Sequence, residues 1–194
     1  QKALNYFIFS STSEVYAGSL LNGLLTIPTK ENSVIALPEI RKPRSSYMLS
    51  KIYGEALCSH SSIPYIIIRP HNIYGPRMGM AHVIPQLMEK SYHQKNNGTL
   101  EVFSLNHTRT FCYVMDAIQQ KYSLILNKNS QDLVFNIGCQ DPEITIKDLS
   151  SKIIKLSGKN MTIKALDNSE SSPERRCPNM EKTIELTKYR NQIS

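Results

Sequence analysis

The sequence predicts an α/β fold built around a parallel sheet. Two short runs, residues 4–9 and 65–69, are apolar on both faces, which is typical of strands buried in a parallel sheet. Between them lie a Gly-, Pro- and Ser-containing stretch over residues 18–46, predicted as a long loop, and a segment over residues 47–60 with helical spacing, which Pro64 ends. The order strand, loop, helix, strand implies a right-handed crossover between parallel strands.

The rest of the chain alternates helical and strand-like segments. Helices are predicted over residues 82–92, 113–127 and 143–156, with Gly158 as the C-cap of the last one. Strands are predicted over residues 100–105 and 133–137. The Ser-, Pro- and charge-rich tail from Ser169 is predicted to be a surface segment.

Composition excludes several classes of protein. The 194 residues carry a net charge of +7 and are 40% hydrophobic, so the chain is not expected to be disordered. No apolar run approaches the roughly 20 residues of a membrane span, and no secretory signal is visible. The four cysteines form no CxxC pair, so we predict no metal site and expect reduced thiols in the cytoplasm. The basic residues are scattered, which favours a solvated surface over binding to nucleic acid or to a membrane.

Tyr47 and Lys51 lie four residues apart on the predicted helix and therefore share one face. A phenol is a poor base at neutral pH because it ionises near pH 10. A cation about 4 Å away, at an effective dielectric near 20, contributes about 4 kcal/mol, which is enough to make a phenol a usable base. The spacing alone is common and fits a surface tyrosine and lysine equally well.

Hydroxyl groups follow the first predicted strand, at Ser10, Ser11, Thr12 and Ser13. Side chains at the carboxyl end of a parallel strand point into the crevice where such folds bind ligands. We therefore expect these hydroxyls to line a ligand-binding crevice.

Six segments along the chain carry a resemblance to a known family. They are Ser11-Thr-Ser-Glu-Val-Tyr16, Tyr47-x-x-x-Lys51, Arg69-Pro-His-Asn-Ile-Tyr-Gly-Pro-Arg77, Thr108-Arg-Thr-Phe-Cys-Tyr-Val-Met-Asp116, Phe135-Asn-Ile-Gly138 and Pro173-Glu-Arg-Arg-Cys-Pro178. In this order the chain resembles the extended branch of the short-chain dehydrogenase/reductase superfamily, the NAD-dependent nucleotide-sugar epimerases, dehydratases and decarboxylases. The resemblance implies a partial Rossmann-type parallel sheet with a smaller mixed α/β substrate-binding lobe, and NAD as the cofactor.

The resemblance also implies catalytic roles. Tyr47 would take a proton from a sugar hydroxyl as hydride passes to NAD, and Lys51 would support its ionisation and hold the nicotinamide ribose. Thr12 would hydrogen-bond the reacting oxygen, and Ser13 and Glu14 occupy the positions of the chemistry that differs between subclasses. Thr-Ser-Glu resembles UDP-glucuronate decarboxylases and also certain UDP-N-acetylglucosamine 4,6-dehydratases, so epimerase, dehydratase and decarboxylase all stay open.

Binding roles follow from the same resemblance. Besides Tyr47 and Lys51, the predicted cofactor contacts are Ser10, Pro70 and Ile73. The predicted substrate contacts are Asn72, Arg109, Arg176 and His82. Arginine suits this role because its planar fork pairs with phosphate or carboxylate. The alternatives are a basic surface tail for Arg175 and Arg176 and a structural histidine for His82.

The family's phosphate-binding Gly-x-x-Gly-x-x-Gly is absent from this sequence. We therefore expect the chain to be an internal piece of a longer enzyme that binds NAD poorly by itself. Residues 1–78, with about 110–140 returning to them, are predicted to form the C-terminal part of the NAD-binding domain. Residues 79–109 and 141–194 are predicted to form an incomplete substrate lobe.

The sequence-based hypothesis is therefore the catalytic portion of an enzyme that modifies a UDP-, GDP- or dTDP-linked sugar through a ketone at C4. A homodimer is expected for the full-length form, by analogy with family members that pair through two helices. The alternative is a non-catalytic nucleotide-binding relative or gene remnant, which the retained Thr12, Tyr47 and Lys51 disfavour.

Overall fold

The computed structural model describes residues 6–37, 39–167 and 173–193. The strands are β1 (Phe7–Ser10), β2 (Tyr65–Pro70), β3 (Ile73–Tyr74), β4 (Gly98–Phe103), β5 (Thr108–Thr110), β6 (Cys112–Tyr113), β7 (Leu133–Ile137), β8 (Glu143–Thr145), β9 (Met161–Leu166) and β10 (Arg175–Arg176). The α-helices are α1 (Ala17–Leu21), α2 (Ser45–Ser59), α3 (Val83–His93), α4 (Val114–Leu126), α5 (Ile146–Leu156) and α6 (Glu181–Thr187), with 3-10 helices at Ser13–Tyr16 and Lys128–Ser130. Within these described ranges, no helix combines the length and the apolar character needed to cross a membrane.

The main sheet is parallel, with the strand order β1-β2-β7. Phe9 pairs with Ile67, so both side chains lie on the same face of the sheet. Side chains alternate along a strand, so Ile66 and Ile68 lie on the other face. Helix α2 covers the face of Phe9 so closely that a methyl group at Gly54 would lie 2.2 Å from the Phe9 ring. On the other face α4 packs against β2 and β7, and the buried cluster there comprises Ile66, Ile68, Cys112, Ala117, Leu124, Phe135, Ile137 and Cys139.

A second apolar core forms a smaller mixed α/β lobe. Strands β4 and β9 pair in parallel, and α3 and α5 pack on them. The buried residues of this lobe are Leu87, Leu100, Val102, Ile146, Leu149, Ile153 and Met161. Two further small sheets have the strand orders β10-β5-β8 and β3-β6. They pair β3 and β5, which follow β2, with strands from later in the chain.

Most predicted elements are confirmed to within a few residues; two differ, and strand β9 and four short strands have no counterpart in the prediction. Residues 143–145 form strand β8 rather than the first turn of a helix, because the Thr145 hydroxyl accepts a hydrogen bond from Asp148 N at 3.0 Å and so starts α5 only after it. The predicted loop of residues 18–46 contains most of α1. The short strands β3, β5, β6 and β10 give no apolar pattern long enough to predict.

The predictions at the two ends of the chain fall partly outside the described residues. Of the first predicted strand, residues 4 and 5 lie outside them, and β1 occupies Phe7–Ser10. Of the predicted surface tail, residues 169–172 lie outside them. From Pro173 onward that prediction is wrong, because β10 and α6 bury Cys177, Met180 and Thr183 against the rest of the fold.

Candidate active site

Helix α2 brings Tyr47 and Lys51 to the carboxyl end of β1. The Lys51 ammonium donates a hydrogen bond to the Ser10 carbonyl at 2.8 Å and lies 5.8 Å from the centre of the Tyr47 ring. Tyr47 is 42% exposed, so its phenol is open to a ligand. The crossover from β1 to α2 therefore assembles three of the predicted site residues at one point.

Thr12 begins the 3-10 helix that follows β1. Its backbone is extended, with φ −159° and ψ 153°, and its hydroxyl accepts a hydrogen bond from Glu14 N at 3.2 Å. This capping contact fixes the turn in which Ser13 is buried and the Glu14 side chain is 21% exposed. Thr12 itself is half-buried.

Glu14 forms an ion pair with Arg44, a residue that the sequence analysis missed. Arg44 Nε donates to one oxygen of the Glu14 carboxylate at 3.1 Å, and Arg44 Nη2 contacts the other oxygen. The guanidinium therefore binds the carboxylate in a bidentate manner. Arg44 is the N-cap of α2, three residues before Tyr47. No sequence pattern predicts a role for Arg44, because this residue lies at the end of a long irregular segment.

Arg176 adds a second cation beside Glu14. Its Nε atom is buried and has no hydrogen-bond partner in the described part of the chain. Burial lowers the pKa of the Arg176 guanidinium; the Glu14 carboxylate raises that pKa, whereas the nearby Arg44 cation lowers it further. One carboxylate thus sits among two arginines, and the cluster Glu14, Arg44 and Arg176 carries one net positive charge. We call these three residues the arginine–glutamate cluster.

Arg109 lies opposite Arg176 on the paired strand, with its guanidinium directed to the backbone. It donates hydrogen bonds to the carbonyls of Thr108, Pro173 and Glu174, at 2.6, 2.7 and 3.1 Å. Burial, and then the neighbouring Arg176, lower its pKa to about 10. These contacts hold β10 against β5 and thereby set the position of Arg176. A direct contact of Arg109 with substrate stays a prediction.

The remaining predicted site residues follow β2. Asn72 has a positive φ of 40° and donates from its side-chain amide to the Thr110 carbonyl at 3.0 Å. Pro70 ends β2 opposite Ile137, and Ile73 pairs with Cys112. His82 is exposed at the N-terminus of α3 and makes no capping hydrogen bond. The binding roles of these residues stay predictions.

A buried polar network lies beneath the site. The Ser11 hydroxyl donates to the Glu55 carboxylate at 2.5 Å, and Glu55 pairs with Arg69 through contacts of 2.9 and 2.5 Å. Arg69 in turn donates to the Tyr16 hydroxyl at 2.6 Å. Burial raises the pKa of Tyr16 to about 12, so its hydroxyl keeps its proton and donates it to the Asn136 side-chain oxygen at 3.1 Å. No sequence pattern predicts this network, although Glu55 follows Lys51 at the same four-residue spacing that links Tyr47 and Lys51.

Comparison with known proteins identifies the family. A family model described as the NAD dependent epimerase/dehydratase family matches residues 1–138. The chain belongs to this family.

Its curated relatives within the family differ in activity. The chain is 31% identical over 167 residues to a dTDP-D-glucose 4,6-dehydratase of Dictyostelium discoideum, a match that covers 79% of this chain and 36% of the relative. It is 32% identical over 156 residues to a UDP-N-acetyl-alpha-D-glucosaminuronate decarboxylase of Bacillus cytotoxicus, covering 77% of this chain and 46% of that protein. The chain thus spans less than half the length of either relative.

Among solved structures, the fold is similar to that of UDP-glucuronic acid 4-epimerase from Bacillus cereus in complex with UDP-glucuronic acid and NAD. The two share 28% identity with a TM-score of 0.81, and the match covers 100% of this chain and 59% of the epimerase. The parallel sheet of this family member is therefore of the Rossmann type.

The donor set beside Tyr47 fits the nicotinamide end of NAD. An ammonium group has three N–H donors, and Lys51 directs one of them to the Ser10 carbonyl within the described structure. Two donors remain for the adjacent hydroxyls of a ribose, next to an exposed phenol. Lys51 and Tyr47 would hold this end of the cofactor, with Ser10, Pro70 and Ile73 as the further predicted contacts.

Buried His71 should make the stability of this family member depend on pH. Burial lowers the pKa of His71 to about 3, and one hydrogen bond to Asn136 at 3.0 Å offsets this only in part. In the unfolded chain His71 has an ordinary histidine pKa near 6.5 and is therefore protonated at pH 5. In the folded chain it stays neutral at that pH. The free energy of unfolding should therefore fall by about 2 kcal/mol from pH 7 to pH 5 because of this residue.

Urea unfolding at the two pH values measures this effect. His71→Phe should reduce the pH dependence by that amount, whereas His60→Gln, at an exposed position, should keep the wild-type dependence. An unchanged pH dependence in His71→Phe would contradict the assignment.

Proposed function

We propose that this chain is the catalytic part of an NAD-dependent enzyme that modifies a nucleotide-linked sugar acid through a ketone at C4. The observation that carries the proposal is the contact of Lys51 with Ser10 and the Tyr47 ring, on the same helix whose N-cap, Arg44, pairs with Glu14 of the arginine–glutamate cluster. The first group provides a base and a cation for oxidation at C4. The second provides a site for an anion on the same sugar.

In this proposal, Lys51 and Tyr47 would hold NAD, which would supply the acceptor for hydride from C4 of the sugar and its later return. Tyr47 takes the proton of the C4 hydroxyl, with Lys51 stabilising the phenolate that does so. The electron pair of the C4–H bond leaves as hydride, and the oxygen forms the carbonyl of the ketone. The Thr12 hydroxyl, held at the start of the 3-10 helix by Glu14 N, would hydrogen-bond the oxygen as it changes.

Charge balance supports a sugar acid as the substrate. A carboxylate on the sugar would neutralise the net positive charge of the arginine–glutamate cluster and pair with the Nε of Arg176, which has no partner among the described residues. With a neutral hexose, the diphosphate of the nucleotide would be the only anion of the substrate available to this cluster. The names of two similar proteins, a glucosaminuronate decarboxylase and a glucuronic acid epimerase, fit the same class of sugar.

A ketone at C4 permits two outcomes for such a sugar acid. The carboxyl carbon is attached at C5, so when the C5–C6 bond breaks, carbon dioxide leaves and the C4 carbonyl takes up the electron pair. Alternatively, the ketone rotates and receives hydride on its other face, which inverts C4 without a change in mass. Glu14 is positioned by Arg44 to assist proton transfer in the first case.

The test gives the full-length protein NAD and a panel of nucleotide sugars, with products followed by mass spectrometry and sugar analysis. UDP-glucuronate and UDP-N-acetylglucosaminuronate should be converted at least about tenfold faster than UDP-glucose, GDP-mannose and dTDP-glucose. Preferred conversion of a neutral sugar would overturn the sugar-acid assignment. No conversion of any sugar would overturn the enzymatic proposal and favour a non-catalytic nucleotide-binding relative.

We further propose that residues 1–78 and about 110–140 belong to the cofactor-binding part and that residues 79–109 and 141–194 belong to the substrate-binding part. We also propose that the full-length protein is a cytoplasmic homodimer. The outward face of α2 supports the dimer, because Tyr53 and Leu57, four residues apart, are 66% and 56% exposed. Leu57→Glu should convert the dimer to a monomer in light scattering. Light scattering of a wild-type monomer at micromolar concentration would reject this part.

A further inference from the structure

Helix α2 holds the end of β1 at two successive turns. Tyr47, Lys51 and Glu55 recur every four residues and so lie on one face of the helix. Lys51 contacts the carbonyl of Ser10 at 2.8 Å, and one turn later Glu55 accepts the hydroxyl of Ser11 at 2.5 Å. The residue that follows these two anchors is Thr12.

The Glu55–Arg69 pair also contacts the other end of the segment of residues 12–16 that follows Ser11. Arg69 Nη1 donates to the Tyr16 hydroxyl at 2.6 Å, and Tyr16 ends the 3-10 helix that carries Glu14. The Arg69 guanidinium also lies 4.8 Å from the centre of the Tyr16 ring. One buried ion pair thus contacts Ser11 before the segment and Tyr16 after it.

Stability alone does not require charged residues at this place. Glu55 and Arg69 are 7% and 3% exposed, and an apolar pair of the same volume is often at least as stable as a buried ion pair. An apolar pair would not hold a hydroxyl in one position. Glu55 does so with a charged acceptor, and Arg69 satisfies both oxygens of that acceptor.

We propose that Glu55, paired with Arg69, is a positioning residue that clamps Ser11 and Tyr16 and thereby holds Thr12 and Glu14 in register with Tyr47 and Lys51. Its effect on catalysis rests on the proposed function, because Thr12 and Tyr47 are the groups that it would align. Its effect on the mobility of residues 12–16 does not depend on any activity.

Ser11→Ala is the sharpest test, because it removes the clamp's contact and leaves the Glu55–Arg69 pair intact. In the full-length protein with NAD, kcat should fall about tenfold while KM for the nucleotide sugar changes less than threefold, since misplaced reacting groups slow the chemical step rather than binding. Ser11→Thr, which keeps the hydroxyl, should recover most of kcat. Glu55→Gln should lower kcat further, with a clear fall in the urea midpoint because Arg69 loses its counter-charge.

Ser150→Ala is the matched control. Ser150 is fully buried in the smaller lobe, where its hydroxyl donates to the Ile146 carbonyl at 2.8 Å. The control should leave kcat unchanged, and its urea midpoint should change little because alanine suits a helix interior at least as well as a serine bonded to its own helix.

Hydrogen exchange provides a readout that needs no turnover. The amides of residues 12–16 should exchange at least about fivefold faster in Ser11→Ala than in the wild type or in Ser150→Ala. Equal exchange in both variants would overturn the clamp, as would a kcat in Ser11→Ala equal to that of the control. If the wild type converts no nucleotide sugar, the proposed function fails, and the exchange data still decide whether the clamp exists.

Discussion

Tyr47→Phe should lower kcat of the full-length enzyme about 1000-fold, with KM for the nucleotide sugar changed less than threefold. The substitution removes only the phenolic oxygen, which we assign as the base, and general-base groups contribute about 100- to 10,000-fold to turnover. The ring and its contact with Lys51, 5.8 Å from the ring centre, are retained, so the fold should not change. Single-turnover assays with the sugar acid that the wild type converts would measure the loss.

Tyr122→Phe is the control for this experiment. Tyr122 is an exposed tyrosine on α4, the helix on the opposite face of the main sheet from α2. Its variant should keep wild-type kcat and KM. If Tyr47→Phe turned over as fast as this control, Tyr47 would not be the base.

Arg176→Leu should affect activity much more than stability. The value of kcat/KM for a nucleotide-linked sugar acid should fall about 100-fold, mainly through KM, because the carboxylate loses its charged partner in a partly buried site. The free energy of unfolding should stay within about 1 kcal/mol of the wild type, or rise, because burying this guanidinium beside Arg44 is unfavourable in the absence of ligand. Steady-state kinetics and urea unfolding measure the two effects separately.

The adjacent arginine supplies the control. Arg175 is directed away from the cluster and forms an exposed ion pair with Glu143 at 2.8 Å. Arg175→Leu should cost less than about 1 kcal/mol and leave kcat/KM unchanged. Equal losses of kcat/KM in both variants would mean that β10 as a whole, rather than Arg176, is needed for binding.

Local patterns predicted the elements with strong periodicity or strong burial. Strands β2 and β7 are apolar on both faces, and helices α2, α3 and α4 have helical spacing, so their positions followed from the sequence. The sequence predicts a helix at strand β8, because three residues have no period of their own and Thr145 acts as a cap only in the folded chain. The buried C-terminal segment after Pro173 was missed because its burial depends on partners about 65 residues away, such as Arg109.

The family and the candidate residues for oxidation at C4 can be recognised from the amino-acid sequence alone. The spacing of Tyr47 and Lys51 lies within one helix, and the hydroxyls that end at Thr12 follow one strand, so each is a local feature that can be recognised without a fold. The surroundings of Glu14, in contrast, depend on the folded chain. Arg44 lies 30 positions along the chain from it, and Arg176 lies on a two-residue strand with no pattern of its own. The same holds for the clamp, in which Ser11 and Glu55 are 44 positions apart. Charges and hydrogen bonds act through space, so the groups that tune this site became visible only when the folded chain brought them together.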